Sequence, residues 1–124
     1  MNELLIVTEY FNCGGVKMYK NDVLQLIDIE GDKFYETLTG DQLFEIPVDE
    51  IMKYKDKLKP YEPFTEDDIK NIVKDKISRC SRKFRKSKFV KDYENMIIST
   101  YSDLPKYSST IISSTNFKIS LFLN

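Results

Sequence analysis

Short apolar runs in the first half of the chain alternate with turn-forming residues at intervals of about eight to ten positions, which is typical of small β folds. The predicted strands are Leu4–Phe11, Val16–Tyr19, Val23–Ile29, Lys33–Leu38 and Gln42–Ile46. Paired glycines at Gly14-Gly15 mark a turn, and Glu30-Gly31-Asp32 closes a hairpin. Pro47 ends the last of these strands, because proline has no N–H to donate to a neighbouring strand.

The second half of the chain changes to the 3.6-residue period of a helix, which begins after Thr65. The Thr65 hydroxyl can cap the first turn, where three consecutive acidic residues place negative charge at the positive end of the helix dipole. The apolar stripe of this helix is formed by Ile69, Ile72, Val73, Ile77, Cys80 and Phe84. The helical period continues over residues 89–97, so we predict two helices separated near Ser87, with one continuous helix as the alternative.

The C-terminal segment returns to β character. Thr110–Ile112 and the alternating run Phe117–Leu123 predict a final strand or hairpin, with Ser113–Asn116 between them. An apolar strand needs a pairing partner, either the sheet of its own molecule or the edge of another chain. The sequence therefore also predicts a homodimer built by edge pairing.

We expect a single domain over residues 1–124, because this length falls within the usual range for one domain with its own core. Residues 1–54 form its β part, residues 65–101 its helical part and residues 108–123 its C-terminal strands. The predicted fold class is α+β: a small antiparallel barrel or sheet, an amphipathic helix pair and a final strand or hairpin.

Two segments of the β part resemble SH3-like small barrels. Met18–Asp28 is similar to the lysine-glycine-aspartate-hydrophobic start of a strand in those barrels, and Leu43–Ile51 is similar to their last strand, proline and short helical turn. The resemblance covers residues 1–54 and implies a barrel shape alone. The adjacent tryptophans, the N-terminal aromatic motif and the turn glycine are missing, and Asn21 stands in the glycine's place. A groove for proline-rich peptides is therefore not carried over, since such barrels host many activities.

The composition indicates where in the cell the protein is expected. No apolar stretch reaches the ~18–20 residues of a membrane helix, so no membrane partner is expected. The start of the chain lacks a basic region and a cleavage site, and it fits a first strand better than a signal peptide. Two cysteines are fewer than a small secreted domain usually carries, which favours the cytoplasm. The abundance of Lys, Ile, Asn and Tyr indicates an AT-rich genome, such as that of a low-GC bacterium or a phage of one, and is compatible with a small phage or mobile-element accessory protein.

Charge is divided between the two halves of the chain. Residues 1–68 carry 7 basic and 16 acidic residues, a balance of −9, whereas residues 69–124 carry 12 basic and 4 acidic residues, a balance of +8. This asymmetry indicates either a surface for a charged partner or two halves that attract each other within the fold.

A run of eight basic residues with no acidic residue lies between Lys76 and Lys91. The candidate ligand-binding residues are Arg79, Arg82, Lys83, Arg85, Lys86, Lys88 and Lys91. On one helix, their three-residue steps would form a basic ridge. The arginine fork suits phosphate oxygens, and Phe84 or Phe89 can stack on a base. We therefore predict a non-catalytic protein that binds a phosphate-bearing ligand, nucleic acid or nucleotide, through residues 76–91.

Other interpretations stay open. Phe84 also extends the apolar stripe and fits a core position, and the basic run can be a solvated face or can pair with the acidic half. A second functional class is a protein-binding inhibitor or adaptor, which would act on a protein partner through the acidic β part or the C-terminal edge strand.

Catalytic machinery is not indicated. A cysteine nucleophile needs a base, usually histidine, and the chain has no histidine to assist Cys13. Cys80 fits the apolar stripe, and two isolated cysteines do not make a zinc site. The acidic neighbours Asp49 and Glu50 point in different directions on a helical turn. The sequence therefore predicts no enzyme activity, no cofactor and no metal.

Overall fold

The computed structural model describes residues 3–40 and 42–113. Its strands are β1 (Leu4–Val7), β2 (Phe11–Cys13), β3 (Val16–Met18), β4 (Val23–Ile29), β5 (Asp32–Thr37), β6 (Glu45–Pro47) and β7 (Leu58–Pro60). Its helices are α1 (Val48–Met52), α2 (Glu66–Ser78), α3 (Arg82–Arg85) and α4 (Val90–Ser113), with a 3-10 turn at Lys55–Lys57. The chain divides into two compact units, unit 1 (Met1–Glu62 and Lys106–Asn124) and unit 2 (Pro63–Pro105). The predicted α+β class is confirmed.

Five strands form one antiparallel sheet in the order β6-β5-β4-β1-β7, and β2 pairs with β3 in a second sheet. The strands of residues 3–40 and 42–113 do not close into a barrel, so the SH3-like resemblance stays a prediction. The predicted strand Val23–Ile29 is confirmed, and in its pairing with β5 Leu26 lies opposite Tyr35. The single strand predicted over Leu4–Phe11 is wrong, because β1 ends at Val7 and a separate strand begins at Phe11.

Left-handed backbone conformations shape the tight turns of unit 1. Gly14 and Gly15 connect β2 to β3 with φ of +58° and +92°, and the Asn12 side chain accepts a hydrogen bond from Gly15 N at 2.8 Å. Asn21 has φ of +73°, which asparagine adopts more readily than most other non-glycine residues. A left-handed residue is therefore present at this turn although the sequence has no glycine there.

One hydrophobic cluster forms the core of unit 1 and joins segments that are far apart in the chain. Its buried members are Leu5, Val7, Phe11, Cys13, Met18, Leu24, Tyr35, Ile46 and Ile51. Successive residues of a strand point to opposite faces, so Val23, Gln25 and Ile27 lie on the other face of β4, where they are also buried. The centre of the sheet is therefore buried on both faces.

Helix α2 begins where the sequence predicts. The Thr65 hydroxyl accepts a hydrogen bond from Asp68 N at 3.0 Å, and the Asp68 carboxylate accepts one from Thr65 N at 2.9 Å, which completes a capping box. Ile72 and Val73 of the predicted stripe are buried. The other stripe residues, Ile69, Ile77, Cys80 and Phe84, are half-buried.

Helix α4 extends further than the sequence indicates, so the strand predicted at Thr110–Ile112 is wrong. Ile97, Tyr101 and Leu104 are buried at helical spacing, and the helix that they establish continues to Ser113 against the local β preference. Phe117–Leu123, on which the edge-paired homodimer depends, lies outside the described residues. None of the described helices combines the length and apolar character that crossing a bilayer requires.

Candidate functional site

The basic segment, defined here as residues 76–91, is divided among three helical pieces. It contains the end of α2, all of α3 and the start of α4. Helix α2 ends at Ser78 with Arg79 as its C-cap residue, and Ser81 begins α3 because its hydroxyl accepts a hydrogen bond from Phe84 N at 3.1 Å. The continuous basic ridge predicted from the three-residue spacing is therefore wrong.

The Arg85 side chain holds the junction between α2 and α3. Its Nη1 atom donates to the Ser78 carbonyl at 3.2 Å and to the Cys80 carbonyl at 2.7 Å. The last carbonyls of a helix have no partners within that helix, so the bond to Ser78 satisfies the end of α2 and the bond to Cys80 satisfies the connection to α3. Arg85 therefore has a structural role in addition to the predicted ligand-binding role.

Ser87 forms the second break in the basic segment, as the sequence predicts. Its N–H and its hydroxyl both donate to the Phe84 carbonyl, at 2.9 and 2.7 Å. The same hydroxyl accepts a hydrogen bond from Phe89 N at 3.2 Å. These local bonds end α3 and fix the backbone that leads into α4, because serine side chains compete with the helix for backbone partners.

The seven candidate cations are all exposed, whereas Lys76, the first residue of the segment, is buried. Lys91 pairs with Glu94 at 3.5 Å, and Arg79 also has an interaction within the protein. Arg85 and Lys88 have no ion-pair partner among the described residues, but the Arg85 side chain donates to backbone carbonyls and the Lys88 ammonium contacts the Phe89 ring. The side chains of three further cations have neither an ion-pair partner nor another such contact among the described residues, and we call them the unpaired triad: Arg82, Lys83 and Lys86.

The unpaired triad occupies one short stretch of backbone. Arg82 and Lys86 are four positions apart and are joined by a hydrogen bond from Lys86 N to the Arg82 carbonyl at 3.2 Å. This spacing places their side chains as neighbours on a helical turn, and Lys83 follows Arg82 directly. The structure thus concentrates four positive charges without an acidic partner at α3 and its C-cap, namely the unpaired triad and Arg85, while Arg79, Lys88 and Lys91 lie on separate turns of the segment.

The two aromatic residues of the basic segment have different surroundings. Phe84 is half-buried and meets Tyr93 edge-on, with ring centroids 5.6 Å apart. Phe89 is 57% exposed, and the Lys88 ammonium lies 5.4 Å from its ring centroid. Phe84 therefore packs within unit 2, and Phe89 is the aromatic ring that a ligand can reach.

Cys13 is the last residue of β2, next to the Gly14-Gly15 turn, and its side chain is not exposed. It is a buried member of the core cluster, and burial, together with the negative charge of Glu50, raises the pKa of its thiol, although Lys53 opposes this effect. A raised pKa reduces the thiolate form that a nucleophile needs. Glu50 is itself paired with Lys53 at 3.1 Å, and the described residues contain no cluster that could hold a metal ion.

The structural role of Arg85 is the feature that sequence reasoning missed. The segment Ser81-Arg82-Lys83-Phe84 carries the signal, because a serine three positions before a residue can cap its N–H and start a new helix. The three-residue spacing of the arginines does not reveal that cap. A helix start at Ser81 leaves the end of α2 with free carbonyls nearby, which a following arginine can satisfy.

Comparison with known proteins adds no relative to this description. No protein-family model, no curated protein and no solved structure matches the chain. The candidate site therefore depends on the charges, hydrogen bonds and exposure of unit 2 alone.

Proposed function

We propose that the protein is a non-catalytic binding protein whose basic segment holds a phosphate-bearing ligand, nucleic acid or nucleotide. The unpaired triad carries the proposal, because Arg82, Lys83 and Lys86 are exposed and lack ion-pair partners among the described residues. Cations without internal partners keep their full charge for a ligand, and clustered cations raise the local concentration of an anion.

The chemistry of the three side chains suits phosphate. The Arg82 guanidinium can donate two parallel hydrogen bonds to phosphate oxygens, and the lysines contribute compact charges. The backbone beneath them is held by the Ser81 cap and by the hydrogen bonds of Arg85. A ligand therefore has to order side chains and not the backbone, which lowers the entropic cost of binding.

The test compares two triple variants with equal loss of charge. Arg82→Gln/Lys83→Gln/Lys86→Gln removes the triad, and Lys17→Gln/Lys20→Gln/Lys33→Gln removes three exposed lysines of unit 1. Binding of a fluorescent oligonucleotide is measured by anisotropy between about 50 and 200 mM salt. We expect the triad variant to lose most of the affinity and to lower the log–log salt slope by about two to three, while the control keeps the wild-type slope.

Two results would contradict the proposal. The wild-type protein would bind no oligonucleotide and no nucleotide at low salt, or both triple variants would lose affinity equally. The second result would indicate that net charge, and not the triad, attracts the ligand.

A protein-binding role is a second candidate, and the hairpin between β4 and β5 favours it. Asp28, Glu30 and Asp32 are exposed at its tip, around an Ile29 side chain that is 43% exposed. An apolar side chain with an acidic rim suits a partner surface that is basic around an apolar pocket. A lysine-rich peptide with a central leucine is the probe, and Ile29→Ser should abolish its binding while oligonucleotide affinity is unchanged.

A further inference from the structure

The exposed ring of Phe89 identifies which kind of phosphate-bearing ligand the basic segment fits. We infer that the ligand is a single-stranded nucleic acid. One of its bases stacks on Phe89, and its phosphate backbone is held by the unpaired triad and Lys88. This inference rests on the function proposed above and adds the ligand class to it.

The position of Phe89 is fixed by its backbone. Its N–H donates to the Ser87 hydroxyl at 3.2 Å, and its carbonyl accepts a hydrogen bond from Tyr93 N at 3.2 Å. The ring is nevertheless 57% exposed, next to Lys88 and three positions after Lys86. An exposed aromatic ring on a fixed backbone offers a stacking surface at small entropic cost.

Charge complementarity selects the occupant of this surface. The Lys88 ammonium lies over one face of the Phe89 ring, 5.4 Å from its centroid, so a base has to stack on the opposite face or displace this flexible side chain, and the cation is then close enough to meet the phosphate of the stacked nucleotide. Proteins that bind single strands combine basic side chains for the backbone with aromatic rings for the bases. An apolar protein surface would make no favourable interaction with the surrounding cations. An acidic protein surface would make little favourable contact with the aromatic ring.

Duplex nucleic acid fits this surface less well. In a duplex each base is stacked on its neighbours, so a protruding ring meets base edges unless the stack is opened at a cost of a few kcal/mol. A single strand presents its base faces directly. Phe84 does not provide a second platform, because Tyr93 already meets its ring.

The experiment measures binding of oligothymidylate and oligouridylate of about 12 nucleotides, and of a duplex of equal length, to the full chain. Phe89→Leu keeps an apolar side chain but removes the aromatic face. We expect it to weaken single-strand binding by about tenfold and to leave the log–log salt slope unchanged, because the phosphate contacts stay. Met96→Ala, which alters another exposed apolar residue of unit 2, should leave the affinity unchanged.

The outcomes separate this inference from the proposed function. Tighter binding of either single strand than of the duplex, with the loss confined to Phe89→Leu, supports the inference. Equal binding of single strand and duplex, with no effect of Phe89→Leu, overturns the inference and leaves the proposed function standing. Failure of every oligonucleotide to bind the wild-type protein overturns the inference, and failure of a nucleotide such as ATP to bind as well overturns the proposed function too.

Discussion

The core of unit 1 and the basic segment of unit 2 are stabilised by interactions of different range. In unit 1, strand β1 pairs with β4 and with β7, and the core cluster joins residues from Leu5 to Ile51. In unit 2, the basic segment is shaped by local hydrogen bonds, such as those that join Arg85 to the Cys80 and Ser78 carbonyls, five and seven positions away in the sequence. We therefore expect unit 1 to unfold cooperatively, whereas the backbone of the basic segment is fixed by hydrogen bonds between residues that are close in the sequence.

The difference in range explains why a cluster of exposed positive charges is tolerated in the basic segment and not in the core of unit 1. The unpaired triad belongs to a segment whose backbone is determined by Ser81, Arg85 and Ser87. Exposed charges contribute little to stability, so Arg82, Lys83 and Lys86 can serve a ligand without a cost to the fold. A cluster of like charges inside the shared core of unit 1 would not be tolerated in the same way.

The largest effect expected from this comparison is the loss of folding stability caused by Leu24→Ala. Leu24 is fully buried in the core cluster, and truncating such a side chain removes apolar burial and leaves a cavity. We expect the free energy of unfolding to fall by about 2–5 kcal/mol. Amide hydrogen exchange, followed peptide by peptide, should show faster exchange in β1, β4 and β5 together.

Leu43→Ala is the matched control for Leu24→Ala. Leu43 is 66% exposed, so the same chemical truncation should change stability by less than about 0.5 kcal/mol. Faster exchange confined to β4 alone in Leu24→Ala would contradict a cooperative unit 1.

The sequence predicted the fold where local signals agree with burial. The capping box at Thr65 and the break at Ser87 follow from side chains that satisfy nearby backbone groups, and the strand Val23–Ile29 follows from an apolar run between turn-forming residues. The strand predicted at Thr110–Ile112 is wrong because α4, which is established by buried residues earlier in the helix, continues through these β-prone residues. The predicted continuous basic ridge is wrong because α2 ends at Ser78 and a new helix begins after Ser81. The hydrogen bonds of Ser81 and Arg85 that fix this break depend on the three-dimensional structure.

A smaller effect, a gain in stability, is expected when Gln25 is replaced on the face of β4 opposite to Leu24. Gln25 is fully buried, and its amide nitrogen and oxygen have no hydrogen-bond partner among the described residues. A buried polar group without a partner costs about 1–3 kcal/mol, and replacing it by an apolar group of similar shape removes that cost. Gln25→Met should therefore raise the free energy of unfolding by about 1–2 kcal/mol in urea denaturation. A decrease in stability would show that the amide has a partner.

The smallest effect concerns the local contacts of unit 2. Arg85→Gln removes the guanidinium that donates to the Ser78 and Cys80 carbonyls, so we expect a loss of about 1 kcal/mol in the free energy of unfolding. Hydrogen exchange should become faster only in peptides that contain the basic segment, since the contacts are local. Lys83→Gln, which removes the same charge from an unpaired side chain, should change stability by less than about 0.5 kcal/mol. Equal losses in the two variants would show that charge, and not hydrogen bonding by Arg85, stabilises the junction between α2 and α3.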